Sequence, residues 1–513
     1  MSAFLKALAY VAPTAALRRA HALAALDASR GYDAAVMGRR GSSFKGTMQD
    51  SANGEIGPAL HKMRERSSDL VRNTWIGSRI VDVLSAHVIG TGIHVAWRDK
   101  RLQDLWDEWC FVCDIEGERD FGGVQLSGFR SMLERGDAGV RMVPRKLDGG
   151  RTVPLALQVV EGDLIATERN GIWDGKKSRL GVVLGDWNER EGYWLYPEHP
   201  GEMMLSPIPK YVGMLPHYVP RSDFCHLYRI LRAGQVRGVP LLAPVTMAVR
   251  DYADTMDAVV IQTRMQACYG LVINSADPVR NMADAQTRKD DAGRNIESMS
   301  PGMVYRAKLG ETVTPFSPSG NAQFEPVALS ALMGIASGGL ITYDQLTGDL
   351  RQGNYSSLKA GDRVLKRLVE QIQWLTLVPQ LLHRVTDRWL QMAIMSGHVR
   401  ARKTPYVREY VMPAVQPIDP IKDLKADILA VRSGRMSPQE FISAWGRDWR
   451  KVVEETREFW KAADGGDTPL VLDIDPRRVD QLGKSQLTDD SENDPADDDA
   501  GSDGAKQNEN ADA

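Results

Sequence analysis

The clearest signal in the chain is a set of apolar positions recurring at helical spacing. Leu102, Trp106, Trp109 and Cys113 fall 4, 3 and 4 residues apart, one face of a helix. Before them, residues 59–90 predict a helix that places Leu70, Ile80, Val83 and Leu84 among its apolar positions, and GTGIHVAW predicts a strand, with Gly90 and Gly92 as turn residues. From about 120 to 236, short apolar runs such as RTVPLALQVV, LGVVLGDW and GYWLYP alternate with turns, as in a mixed α/β domain. At RGVPLLAPV a long helix begins. Leu242, Val245, Val249, Tyr252, Met256 and Val259 repeat at 3, 4, 3, 4 and 3, a heptad-like seam, with Asp251, Asp254 and Asp257 off it. Residues 270–323 read as short strands and turns around the charged run RNMADAQTRKDDAGRN, and a second apolar helix covers roughly 325–341.

Then the pattern breaks at LTGDLRQGNYSSLKAG, residues 346–361, a polar stretch containing Gly348, Gly353 and Gly361. Beyond it Leu365, Leu368, Ile372 and Leu375 resume helical spacing, and Leu382, Val385, Trp389 and Met392 continue it after Pro379. The pattern predicts one helix over about 356–396, kinked where Pro379 removes a backbone donor and capped by Asn354 or Ser356. Residues 420–463 form a last helical region. Ser437, Pro438 and Glu440 make a capping box there, and Trp445, Trp449, Val452 and Trp460 supply apolar surface.

Composition changes this picture at the two ends. The 513 residues suffice for two to four domains. The first 58 are rich in Ala, Arg and Gly. Lys6 interrupts their apolar run and Arg18 and Arg19 follow it, the wrong charge order for a secretory leader, so an arm is expected. Net charge is −3, but from Ser485 onward ten acids face the single base Lys506, leaving +6 for the rest. Such a tail cannot bury enough apolar surface to fold. Four cysteines argue for a reducing compartment, and no apolar run is long enough to span a bilayer.

Candidate catalytic chemistry is sparse. There is no GxxxxGK[ST] loop, no HExxH, no GxSxG and no kinase set. Cys110 and Cys113 form a lone CxxC that the helical stripe explains better than a metal site. His217 and His226 flank a strand without ligand spacing. No cofactor, metal or enzymatic activity is expected.

Several stretches together resemble the portal proteins of tailed phages, lambda-like branch: DLVRNTWIGSRIVDVLSAHVIGTGI (69–93), FGGVQLSGFRSMLERGDAGVRM (121–142), HLYRILRAGQVRGVPLLAPV (226–245), PGMVYRAKLGETV (301–313), FEPVALSALMGIASG (324–338), QLTGDLRQGNYSSLKAG (345–361) and VQPIDPIKDLKADILAVRSGRMSPQEFISAWGRDW (415–449). GQVRGVP and LTGD…NYSS are the most specific. The resemblance implies an α+β portal fold. Its expected parts are an N-terminal arm (1–58), a mixed α/β wing (59–236), a first stem helix (237–269), a clip (270–323) and a second stem helix (324–342). A tunnel loop (343–357), a kinked spine helix (358–398), a helical crown (399–463) and the acidic tail (464–513) complete it.

It also implies a homo-oligomeric ring, usually of twelve subunits, at one capsid vertex of the virion, assembled in the host cytoplasm. Expected partners are non-specifically held double-stranded DNA, the terminase large subunit, head–tail connector proteins and the major capsid protein or scaffold, with no membrane. On this reading Arg351, Gln352, Asn354 and, more weakly, Lys359 face DNA from the tunnel loop. Arg280, Arg288, Lys289 and Arg294 dock the motor or connector at the clip, and Val249, Tyr252 and Met256 form the ring interface. The rival readings are a nuclease-like DNA-processing enzyme of the packaging apparatus and a helical scaffold that binds a protein partner.

Overall fold

The structure, a computed structural model, describes residues 51–464 apart from 147–151, 203–214, 268–269, 276–287, 290–294, 297–310, 317–323, 352 and 415–418. The chain is α+β and divides into two units, residues 1–413 and 414–513.

The first unit opens with α1 (Ala52–Asn73) and α2 (Trp75–Val88), separated at Thr74. Residues 59–90 are thus two helices rather than one. The Thr74 hydroxyl accepts from the Gly77 amide and starts α2, while its backbone N–H closes α1 on Leu70. The expected turn follows, with Gly90 and Gly92 at φ 52° and 115°. β1 (His94–Trp97) and α3 (Lys100–Phe111) come next. Leu102, Trp106 and Trp109 lie on one face of α3 as their spacing predicts, whereas Cys113 falls past the end of the helix. Trp106 and Trp109 meet Phe121 and Trp389 in one aromatic cluster, with Trp106 and Trp389 centroids 5.0 Å apart, and Cys113 is fully buried beside it.

The mixed α/β segment, read as short strands and turns, begins with a helix, α4 (Phe121–Arg135). Its three glycines obscure the helical pattern, yet packing requires Gly122 and leaves little room at Gly128. A Cβ on Gly122 would sit 2.7 Å from the Thr91 carbonyl, and one on Gly128 would press on Leu227 and Val140. The strands then form two antiparallel sheets. One orders β3 (Leu155–Glu161), β2 (Asp137–Pro144) and β9 (Phe224–Tyr228). The other runs sequentially through β4 (Gly171–Trp173), β5 (Lys176–Arg179), β6 (Val182–Leu184), β7 (Arg190–Leu195) and β8 (His217–Pro220).

Where the two sheets meet α1 and α4, the GQVRGVP stretch ties a buried ionic knot. Asp137 and Arg237 have no exposed side-chain surface and Arg64 has 3%. Asp137 accepts from Arg64, from Arg237 Nε at 2.5 Å and from His226 Nε2 at 3.3 Å. The rest of the Arg237 guanidinium donates to the carbonyls of Gly162 (2.6 Å), Leu180 (2.9 Å) and Ile165 (3.3 Å) and to Thr167 Oγ1 (3.1 Å). Gly238 is obligatory, since a Cβ there would lie 1.8 Å from the Gly136 oxygen. Gln235 accepts from the amides of Leu231 and Arg232 and donates to the Arg237 carbonyl.

Burial alone would raise the Asp137 pKa, but the guanidinium groups of Arg237 and Arg64 outweigh it and hold the carboxyl well below the usual range. Burial pushes His226 down to about 4 from 6.5. An unfolded chain therefore takes up a proton at His226 that the folded chain refuses. The stabilisation is present above pH 6.5 and is lost as pH falls towards 4, by up to about 3 kcal/mol at 1.36 kcal/mol per pKa unit. Chemical denaturation at pH 7, 6 and 5 should show this decline, and His226→Gln should flatten it over that window.

Residues 241–245 form turns, so the seam helix α5 (Thr246–Ala267) starts later than expected, after Pro244. β10 (Gly270–Ser275) pairs with β13 (Glu311–Phe316), and β11 (Arg288–Lys289) with β12 (Asn295–Ile296). α6 (Phe324–Gly338) turns through Leu340, at φ 63°, into a short α7 (Tyr343–Thr347). The polar stretch is thus shorter than residues 343–357, spanning 348–354 between α7 and α8 (Tyr355–Ile372).

From α8 the backbone stays helical through a π-helical segment (Gln373–Leu382) into α9 (His383–Met395). Pro379 lies in that segment. The wider i→i+5 turn spares the α-helical bond that proline cannot make. β14 (Arg408–Val411) pairs antiparallel with β1, which ties residues up to 413 into the first unit rather than into a separate helical region beginning at 399.

The second unit holds α10 (Pro420–Arg432), α11 (Pro438–Ala444) and α12 (Trp449–Asp464). The Ser437–Glu440 capping box is formed, with reciprocal bonds of 2.9 and 3.1 Å.

Candidate nucleic-acid interface

The 348–354 connection is fixed at both ends by short-range chemistry. Gly348 closes α7 in the left-handed region at φ 71°, where a side chain would be strained. Leu346 is buried beneath it. At the other end the Asn354 side chain accepts from the Ser357 amide at 2.7 Å and Ser357 Oγ accepts from the Asn354 amide at 3.1 Å, a capping box that starts α8. Between them Arg351 forks onto Asp349, with Nε to Oδ1 at 2.9 Å and Nη2 to Oδ2 at 2.8 Å. The hydrogen bonds from Arg351 hold the Asp349 carboxyl well below the usual carboxylate range. The Arg351 side chain is 82% exposed, but its charge is matched within the loop.

The four residues expected to face DNA therefore differ in what they offer. Arg351 is accessible and ion-paired. Asn354 is exposed, with its side-chain oxygen engaged in the cap. Lys359 is half-buried in the second turn of α8. Gln352 lies outside the described residues. Of the clip set, Arg288 and Lys289 sit on β11 opposite Ile296 and Asn295. Arg280 and Arg294 lie outside the described residues.

The expected interface trio splits. Val249 is 1% exposed and belongs to the core of its own chain, alongside Val245 and Leu242, so its side chain is not available to a neighbour. The first residues of the seam, Leu242, Val245 and Val249, are thus the part by which the chain enters α5 from its own core. Tyr252 and Met256, one and two turns further on, are half-buried, and Val260 and Ile261 beyond them are exposed.

Elsewhere Glu161, Asp163 and His199 bring ligand atoms within 4.8 Å of one another. Arg135 Nη2 stands 2.7 Å from Asp163 and 3.5 Å from Glu161, already supplying positive charge to that cluster. A cation would have to compete with it.

Comparison with known proteins bears on this geometry. A family model described as phage portal protein, lambda family, matches residues 37–373. The chain belongs to that family. Its relatives include a probable portal protein of Halomonas phage phiHAP-1, 23% identical over 433 residues (77% of this chain and 80% of that protein). Portal protein B of Escherichia phage lambda is 20% identical over 489 residues, 82% of this chain and 89% of that one. A solved structure of the neck of a native gene transfer agent particle, computed with C12 symmetry, aligns with 79% of this chain and 96% of its own at 16% identity and a TM-score of 0.42. Both motifs singled out in the sequence lie inside the family match. GQVRGVP is the ionic knot, and LTGD…NYSS is the two-ended clamp around the polar turn.

The sequence reading missed a different surface, a collection of cations where β1 meets β14. Its only local signal is the pair of short basic runs WRDKR (97–101) and RARK (400–403).

Proposed function

We infer that the chain forms a homo-oligomeric ring, of twelve copies, at one capsid vertex, and that double-stranded DNA passes through it during packaging and ejection. On this reading the terminase motor and then the head–tail connector dock at the 270–323 segment, the major capsid protein or scaffold contacts the wing, and the ring catalyses nothing. The observation that carries the reading is membership of the portal family across most of the chain.

Unsatisfied apolar surface supports the assembly. Met247, Val260, Ile261, Val327 and Met333 are exposed on α5 and α6. Among the described residues of the second unit only Ala463 is buried, while Ile421 and Leu429 are 67% and 63% exposed. Three helices with so little core gain their stability from burial against other copies.

The loop fits a conduit through its charge. Asp349 and Arg351 cancel, so each copy offers DNA a polar contact without net attraction. A strongly basic lining would hold the duplex through counterion release and oppose sliding. Deletion of residues 350–353 should leave rings intact, because Leu350 is 60% exposed and anchors nothing. Particles assembled with this variant should package less DNA or leak it. A variant that retains a full genome would remove the loop from any grip on DNA, and one that forms no rings would make it a packing element.

A further inference from the structure

We propose that the platform where β1 meets β14 is a second surface for the duplex phosphate backbone, separate from the 348–354 loop. The proposal rests on the reading of the chain as a DNA conduit, and extends it to residues that no part of that reading uses.

The platform is made by the fold. Antiparallel pairing of His94–Trp97 with Arg408–Val411 joins segments some three hundred residues apart, with Trp97 opposite Arg408. The pairing continues one step past the strands, where the Arg98 amide donates to the Val407 carbonyl at 3.1 Å. WRDKR and the strap 400–407 therefore share one surface.

The strap is a closed loop. Tyr406 Oη donates to the Arg400 carbonyl at 2.8 Å, and the Arg402 guanidinium stacks 3.4 Å from the Tyr406 ring centroid. Arg98, Lys100, Arg101, Arg400, Arg402 and Lys403 are all exposed. Arg98, Arg101, Arg400 and Lys403 form no ion pair among the described residues. Nearby acids are largely committed: Asp99 caps α3, accepting from the Leu102 amide, and Asp387 pairs with Arg408 at 2.6 Å. Glu409 lies on β14 beside the strap and has contacts of its own.

The contrast with the loop favours DNA as the occupant. The loop's one cation is matched by its one carboxylate, whereas the platform carries cations in excess, held on a strand pair and a closed strap. Arginines on such a frame bind phosphates without reading bases. Beside the strap lies a shallow cavity of about 480 Å³ lined by Asp387, Arg402, Thr404, Tyr406 and Arg408 among others, wide enough for a phosphate.

The test uses purified full-length rings and a fluorescent 30-base-pair duplex of arbitrary sequence (length chosen for the assay), read by anisotropy across a salt series. Neutralising Arg98, Arg400, Arg402 and Lys403 together to Gln should weaken binding at least tenfold at low salt. It should also reduce the steepness of log affinity against log salt by up to about 3.6, since each of the four lost phosphate contacts removes about 0.9. A triple variant that keeps Arg402, and so its stack on Tyr406, should show roughly three-quarters of that effect. Thermal unfolding should not change, because the substituted groups are exposed. Binding and slope equal to the unmodified ring would overturn the proposal.

Deletion of 350–353 in the same assay keeps the two readings apart. Loss of duplex binding with that deletion but not with the platform variants would place the contact at the loop and refute the platform. Absence of duplex binding by the unmodified ring itself would count against both. Platform loss with the loop deletion silent is the expected result. An acidic peptide that competes for the platform while duplex does not bind would assign the surface to a protein instead and overturn the proposal.

Discussion

Replacing Arg237 by Ala should cost about 3–5 kcal/mol of stability, the range for breaking a buried ion pair by removing one partner. The side chain is fully buried and its guanidinium serves one carboxylate, three carbonyls and one hydroxyl. Its removal leaves the fully buried Asp137 to the side chains of Arg64 and His226, and strands the carbonyls of Gly162, Leu180 and Ile165. Lysine cannot restore the arrangement, because a single ammonium cannot reach acceptors spread around a planar fork. Arg232, five residues earlier, pairs with Glu55 at 2.5 Å, with about half of each side chain exposed. Its replacement by Ala should cost under about 1 kcal/mol. Urea denaturation of both variants measures the difference. Equal effects would mean that the knot is not what holds the two sheets to α1.

Rings should fail to form when Tyr252 is replaced by Asp. The residue is half-buried against the core of its own chain, at the point where α5 leaves it. A carboxylate there faces burial on assembly at a cost of several kcal/mol per copy, repeated at every interface around a closed ring. The same change also touches the monomer, so Ile261→Asp is the companion variant. Ile261 is 56% exposed and outside the core. Native gel and negative-stain imaging should show folded but unassembled chain for Ile261→Asp, and circular dichroism separates unassembled from unfolded for Tyr252→Asp. Normal rings from both would put the exposed end of α5 outside the subunit interface.

How much of this was legible in the sequence depended on whether a feature was local. The Leu102–Trp106–Trp109 part of the stripe, the Asn354 cap and the Ser437 box rest on residues a few positions apart, and each is formed, while Cys113 lies past the end of α3. The helix Phe121–Arg135 was hidden because Gly122, Gly123 and Gly128 argue against helix by intrinsic propensity, and only contact with Thr91 and β2 explains the first and last of them. The period of the α5 seam is right, and its first turns enter the chain's own core while Tyr252 and Met256 stay half-buried. Periodicity says that a face is buried, not against what, and Val249 turned out to face its own core. The ionic knot joins residues 64, 137, 226 and 237, and the platform joins 98 to 400–407. Neither juxtaposition exists until the strands pair. The matching of Arg351 by Asp349 was visible only as opposite signs two residues apart, and the fork between them came from the turn geometry that Gly348 permits.

Mass photometry of the purified full-length chain tests the ring reading most directly. Twelve copies of the 56.8 kDa chain come to roughly 680 kDa. A dominant species at that mass, resolved by electron microscopy as a ring with a central channel, is the predicted result. A chain that stays monomeric at micromolar concentration, with no larger closed species, would contradict it.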